Sequence, residues 1–270
     1  MTITAPAPIT AGSVGTVPAT RLSFPRIVRS EAIKLLSLRS TWWSLAIAAT
    51  LSVGISLLMA AASSDFSADF PAVMAIVTPM QFTMLVAGIL GAIAVTGEYS
   101  TGMIRSTLTA VPRRGAVLAA KTLTVAATLA IATTATFAVA ILATAPLVSA
   151  PIDWADPAVS TIPLAYGVLS MAVFALIGVG FGFIIRSGAG AIAATVGVLF
   201  VAPIVTSIFA MFGASWQWVA DLGRYLPMSA AQVLTIPGGT DDALRCVATL
   251  LAWVVAGQLG AWALLRSRDA

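Results

Sequence analysis

Six stretches of this chain run about 20 residues or more without a single Asp, Glu, Lys or Arg. They are Thr41 to Ser64, Phe70 to Gly97, Thr122 to Ile152, Pro157 to Ile185, Ser187 to Ala220 and Cys246 to Leu265. At about 1.5 Å per residue, each is long enough to cross about 30 Å of hydrocarbon as a helix. A backbone in lipid must satisfy its own hydrogen bonds, which leaves helices as the spanning element for uncharged runs of this length. Only 9% of the residues are charged, against about 25% in soluble domains, so the chain cannot cover a water-facing surface with polar groups. The expected fold class is an all-α polytopic membrane protein with six transmembrane helices. The spans are expected at about 42–63, 73–96, 116–147, 160–185, 189–212 and 245–265.

Basic residues set the expected topology. With the N-terminus inside, the cytoplasmic segments carry Arg21, Arg26, Arg29, Lys34, Arg39, Arg105, Arg113, Arg114, Lys121, Arg186, Arg266 and Arg268. Only Arg224 and Arg245 fall outside, together with Asp65, Asp69, Asp153, Asp156, Asp221, Asp241 and Asp242. Five or seven spans would break this alternation. Both termini are therefore expected on the cytoplasmic side of a plasma membrane. Residues 1–20, rich in Ala, Pro, Thr and Gly, have no basic region ahead of an apolar core. They read as a disordered cytoplasmic tail and not a signal peptide. Residues 21–268 read as one transmembrane domain.

Two segments beside the spans carry organised polarity. In Arg21 to Ser40, an apolar stripe of Phe24, Ile27, Val28, Ala32, Leu35, Leu36 and Leu38 opposes Arg26, Arg29 and Lys34, with Glu31 near the apolar edge and Arg39 closing the segment. This suits a helix lying at headgroup depth on anionic lipid, or a basic topology signal alone. The second segment is a polar island, Gly97 to Arg114 (GEYSTGMIRSTLTAVPRR). Tyr99, Met103, Ile104, Leu108 and Val111 recur at helical spacing, with Arg105 on another face, so a short amphipathic helix is expected over about Glu98 to Ala110. Pro112 ends it. Gly102 permits close approach of another backbone. Glu98 faces a negatively charged leaflet and requires a partner: Arg105, Arg113 or an arginine of the N-terminal helix, unless it only serves a helix start.

Much chemistry is excluded. The chain has no histidine and one cysteine, Cys246, which removes disulfides, zinc sites and His-based catalysis. Cys246 is expected to pack as a small hydrophobe. No phosphate-binding loop is present; Gly178, Gly180 and Gly182 superficially resemble a nucleotide loop, but Gly178 and Gly182 better match helix packing in lipid. Two features resist simple treatment. The third run, Thr122 to Ile152, exceeds the hydrocarbon thickness and must tilt, kink or project. Met211 to Asp242 is apolar although expected outside; short re-entrant helices broken at Pro227 and Pro237-Gly238-Gly239 account for it, as would an amphipathic outer loop.

The order of these parts resembles the type-2 ATP-binding-cassette exporter permeases, in particular small stand-alone actinobacterial ones. The residues carrying the likeness are Glu31, Lys34, Leu35, Ser37 to Trp43, then Gly97, Glu98, Tyr99, Gly102, Ile104, Arg105, Leu108, Pro112 to Arg114, and Lys121. The likeness implies a permease exporting an apolar or amphiphilic cargo such as a drug, lipid or secondary metabolite. Two permease chains, identical or not, would pair within membrane lipid. A separate ATPase subunit would dock on the cytoplasmic coupling helix (Glu98, Tyr99, Gly102, Met103, Ile104, Arg105 and Leu108) and on the interfacial helix (Arg26, Arg29, Glu31, Lys34 and Arg39). The chain would have no catalytic, cofactor or metal site of its own; ATP would be hydrolysed by its partner, and no nucleic acid is involved. Rival readings are an intramembrane enzyme, a proton- or sodium-driven transporter, and a non-transporting anchor or sensor. The first two need ionisable residues at membrane depth, and none is expected there.

Overall fold

A computed structural model describes residues 23–63, 71–148, 151–212, 214–239 and 241–267. The expected tail at residues 1–20 lies outside them. The described residues are helical with no strands, and six helices are long and apolar enough to cross a membrane. These run Arg39–Ala62, Ala72–Ser100, Arg114–Thr144, Thr161–Ile185, Gly188–Ala210 and Ala243–Ser267. The all-α, six-span expectation holds.

The first helix, α1 (Phe24–Ser37), starts with Pro25 in its first turn, where a missing N–H costs nothing. It stops at Leu38, whose extended backbone turns the chain into α2 (Arg39–Ala62). Arg39 therefore opens the first span and is not part of the N-terminal helix, a correction to the expected boundary. The second span is broken at Thr78-Pro79 into α3 (Ala72–Val77) and α4 (Met80–Ser100). A short α5 (Met103–Ala110) follows, then α6 (Arg114–Thr144), unbroken over 31 residues. At about 1.5 Å per residue α6 is about 46 Å long, more than the hydrocarbon thickness, so it must tilt or project.

The fourth span is α7 (Thr161–Ile185). The fifth is α8 (Gly188–Val196), a π-helical turn over Gly197–Val201, and α9 (Ala202–Ala210). The wide turn lies just ahead of Pro203, whose ring cannot coexist with regular packing on the carbonyl four residues back. Short helices α10 (Gln217–Gly223) and α11 (Pro227–Leu234) precede the last span, α12 (Ala243–Ser267). Ala230, Ala231 and Leu234 of α11 are buried in the main core with Cys246 and Leu250. Trp216, Trp218 and Leu222 stay exposed around α10.

The core is a seam of small residues between α4 and α7. A Cβ on Gly178 would run into the carbonyl of Gly88, and one on Gly91 into the backbone of Ala175. Gly182 meets Val95, and Gly180 brings α12 close at Gly257. In lipid, helices gain nothing from hiding apolar surface, so close backbone approach and dispersion hold them together. Phe174, Phe183, Met84 and Leu199 fill the space beside the seam. By contrast, α2, α9 and α12 bury little of their surface within the chain. The glycines expected to pack helices do so.

A glycine-to-leucine change at Gly178 should destabilise the fold by about 1–3 kcal/mol or more, since the obstacle is backbone that cannot rotate away. Thermal unfolding in detergent micelles should show it, whereas Gly54→Leu, where a Cβ meets nothing within 4 Å, should be nearly silent.

Candidate functional site

One end of the bundle gathers α1, the end of α4, α5, the start of α6 and the end of α12. Arg114 donates to the Leu265 carbonyl, and Arg186 Nη2 donates to the Leu264 carbonyl at 3.1 Å. Arg186 caps α7 in the left-handed region, at φ 60°, and its guanidinium lies 5.3 Å from the Tyr99 ring centre. The opposite end is closed by Gly238 N–H donating to the Ala158 carbonyl at 3.0 Å and Trp253 Nε1 donating to the Tyr225 carbonyl at 2.9 Å.

At the first end sits a cluster of two carboxylates and two ammoniums, in which Glu31, Glu98 and Lys121 are buried and Lys34 is partly exposed. Ile27, Glu31 and Leu35 recur every fourth residue and form the buried face of α1, so Glu31 is carried into the bundle by apolar neighbours above and below. Glu98 is two residues from the end of α4, and Lys121 lies on the inner face of α6. Lys34 Nζ contacts Glu31 Oε1 at 2.6 Å, Glu98 Oε1 at 3.1 Å and Thr107 Oγ1 at 3.0 Å. Lys121 Nζ contacts Glu31 Oε2 at 2.6 Å, Glu98 Oε1 at 2.9 Å and the Ala94 carbonyl at 3.3 Å. Each ammonium thus has three polar partners, matching the three protons it can donate. The four charges sum to zero. Burial alone raises the Glu31 carboxyl, but the charges and hydrogen bonds of Lys121 and then Lys34 outweigh it and hold the group below its ordinary value. Burial pulls the Lys34 ammonium down, and Glu31 and then Glu98 more than reverse this, leaving it raised.

The cluster corrects the expected partner of Glu98. Lysines hold it, from 64 residues before and 23 residues after in sequence, and among the described residues no arginine forms an ion pair with it. Nor does it begin a helix. A carboxylate near a helix C-terminus opposes the macrodipole, which makes a cationic partner necessary. Glu31 and Lys34, expected together on the N-terminal helix, are brought to Glu98; Arg26 and Arg29 lie on the exposed side.

The island is also rearranged. Glu98 and Tyr99 belong to α4, and the separate helix starts only at Met103. Between them Gly102 takes φ 71°, which favours glycine, and a Cβ there would meet nothing within 4 Å. It is a turn residue, and no other part of the described chain approaches it closely. Ile104 is buried and Leu108 packs against the same core as Leu35 and Leu118. Tyr99 points inward, edge-on to Phe183 at 6.4 Å. The outward face of α5 is Met103, Arg105, Ser106 and Thr109. Sequence reasoning missed a second polar link, in which Thr122 Oγ1 donates to Gln258 Oε1 at 2.9 Å and Gln258 Nε2 donates to the Leu176 carbonyl at 3.1 Å. The signal was a lone glutamine inside an otherwise uncharged span, where an amide must find partners.

Six apolar spans, a helix at the edge of the bundle and a short two-faced helix between the second and third spans define a membrane permease architecture. The chain belongs to the ABC-2 family transporter proteins, whose family model matches residues 22–265. It is therefore an ABC-2 type permease subunit, a class that works in general with an ATPase partner. No curated protein matches it.

Removing one member of the cluster leaves an uncompensated buried charge, so Glu98→Gln should cost about 3–5 kcal/mol. Thermal unfolding of the purified chain measures this. The pH profile follows from the two shifted groups. Glu31, depressed, contributes fully above 4.5 and loses its contribution as pH falls through its lower folded value. Lys34, raised, contributes fully below 10.5 and loses it as pH rises through its higher folded value. The contribution of Glu31 and Lys34 should be level between those limits in wild type, and a slope from either group centred near neutrality would contradict it.

Proposed function

We propose that this permease is driven through α5 and α1 by a separate ATPase subunit, and that it exports an apolar or amphiphilic cargo. The observation that carries this is the two-sidedness of α5. Its inner face, Ile104 and Leu108, is fixed to the chain's own core, while Met103 and Arg105 face away from the bundle on an eight-residue helix. A motor docking there would press Met103 into an apolar contact and pair Arg105 with a carboxylate. Arg26 and Arg29, on the outer side of α1, extend the same basic surface.

In this reading the end bearing α1, α5 and the close of α12 is cytoplasmic, which puts both chain ends inside, in accord with the distribution of basic residues. The chain contributes no ATP site; nucleotide stays with the partner. A second permease chain, identical or not, covers part of the surface left open on α9 or α2. Helices α10 and α11 serve as re-entrant elements on the outer side, supported by the packing of α11 into the core. A pathway bounded by Ala, Val, Thr, Met and Phe suits an uncharged or amphiphilic substrate better than a polar one.

Arg105→Glu should abolish co-purification of the cognate ATPase and ATP-dependent flux in liposomes, with the unfolding temperature unchanged. Ile104→Asp should instead unfold the chain itself, since it buries a charge in the core. Retention of the ATPase by Arg105→Glu would place the dock elsewhere, and flux without ATPase would end the coupled-pump reading.

A further inference from the structure

The second span breaks at Thr78-Pro79, between α3 and α4. Proline has no N–H, so the Ala75 carbonyl four residues back loses its helical donor. Irregular backbone at membrane depth persists where it is buried in protein or lines a water-filled cavity, and in secondary transporters interrupted spans build the substrate site. A cavity of about 200 Å³ lies against this break, at the end of the bundle where Trp253 reaches Tyr225, away from the ion cluster. Met74, Thr78 and Gln81 line it from the second span, and Gln232 and Thr235 from α11 and its cap. Gln232 also lines a wider groove of about 360 Å³, whose apolar walls include Phe200, Ile204 and Met228.

Gln81 and Gln232 select the occupant. Both are half-buried, and among the described residues neither side-chain amide forms a hydrogen bond. Neither amide is sealed in the protein, since the inaccessible unpartnered polar atoms lie on other residues. Gln258 is the contrast. It packs in the sixth span with its amide bonded to Thr122 and to the Leu176 carbonyl, which is what a purely structural amide does here. Gln81 and Gln232 instead hold their donors and acceptors toward space that another molecule can enter.

An amide offers two N–H donors and one acceptor oxygen and carries no charge. Among the described residues no Asp, Glu, Lys or Arg lines the cavity. An ammonium or carboxylate entering it would leave water without meeting a counter-charge, which is costly. A neutral group with both a donor and an acceptor pairs with the two amides and leaves none of them unsatisfied.

We infer that this cavity is a cargo site for an uncharged headgroup carrying both a hydrogen-bond donor and an acceptor, such as a carboxamide, with the apolar part of the cargo in the adjoining groove. Gln81 and Gln232 are its specificity-determining residues. The site rests on the export reading and narrows its cargo to neutral amphiphiles.

The test uses the full chain in phosphatidylcholine nanodiscs, with Cys246→Ala removing the buried thiol and Met74→Cys reporting from the cavity wall. Thiols react as thiolates, which form in water and not in lipid. A charged, membrane-impermeant methanethiosulfonate should label Met74→Cys at least about tenfold faster than Ile131→Cys, on the exposed side of the membrane-spanning α6. Dodecanamide should slow the labelling of Met74→Cys at least about fivefold, whereas dodecylammonium and dodecanoate at equal loading should leave it unchanged. With Gln81→Leu and Gln232→Leu together, labelling should persist and protection by dodecanamide should vanish. Gln232→Glu, which keeps the shape and adds a charge, should make dodecylammonium protective. Labelling of Met74→Cys as slow as that of Ile131→Cys would show that water does not reach the cavity and would overturn the site. Equal slowing by all three amphiphiles, or by none, would overturn the selection of a neutral headgroup. So would protection that survives loss of both amides, or a Gln232→Glu chain indifferent to dodecylammonium. Every readout is taken without an ATPase. A failed motor dock therefore leaves the site standing, and ATP-driven flux without this protection removes the site alone.

Discussion

Two carboxylates and two ammoniums sealed together decide how this end of the protein is assembled. Glu31 and Lys34 arrive on α1, Glu98 at the end of α4, and Lys121 on α6. None of these charges has an alternative partner of comparable quality once buried, and each would be costly alone. The arrangement is therefore a registration device: α1 has one position along the bundle at which all four charges cancel. Slip by one turn would strand Glu31 against the apolar side chains of α6. The contribution to net stability is modest compared with well-packed hydrophobic residues of similar volume, but the contribution to uniqueness is large. The same cluster reaches α5 through Lys34 and Thr107, so the short helix is positioned by the charges as well as by Ile104.

The seam between α4 and α7 provides the rigidity that the cluster needs. Backbone meets backbone at Gly88, Gly91, Ala175 and Gly178, leaving no flexible side chain to absorb a shift. Tyr99, just beyond Glu98, is held by Phe183 and Arg186 from α7 and its cap. Arg186 in turn reaches the end of α12. The ends of α4, α7 and α12 on this side are thus joined through one guanidinium, while α2 and α9 bury little of their surface within the chain. The bundle divides into a stiff centre and a looser perimeter.

The six spans were legible because exclusion of charge from lipid is a one-dimensional signal, readable without knowing any neighbour. The packing role of Gly178 and Gly182 was legible for a similar reason. What could not be read was pairing. Lys121 looks like the boundary of an apolar run and Lys34 like one more basic residue on an amphipathic helix; nothing local marks them as the counter-ions of Glu98. Periodicity found the apolar stripe of Ile104 and Leu108 but not whether it faced the chain's own core or another protein, since both partners present the same chemistry. Gly102 was noticed but its left-handed turn was not, because such a turn and a tight helix contact leave the same letter in the sequence. The breaks at Pro79 and Gly197–Val201 were hidden for the opposite reason: hydropathy passes through them unchanged.

These features bear on what a push on α5 would do under the proposed docking. A helix of eight residues joined to α4 through one left-handed glycine would swing freely if it were held only by that joint. It is not: Ile104 is in the core, and Thr107 is bonded to an ammonium whose other two protons sit on Glu31 and Glu98. Displacing α5 outward must either give up the Lys34–Thr107 hydrogen bond and the packing of Ile104 or carry α1, α4 and α6 with it. Parting them is the costlier course, because Ile104 would leave the core and the Lys34 ammonium would lose one of its three partners. The inexpensive motion is therefore collective. It moves the stiff centre as one body against the perimeter, and it concentrates bending where the helices are already interrupted, at Pro79 and at the π-helical turn before Pro203, both far from the charged end.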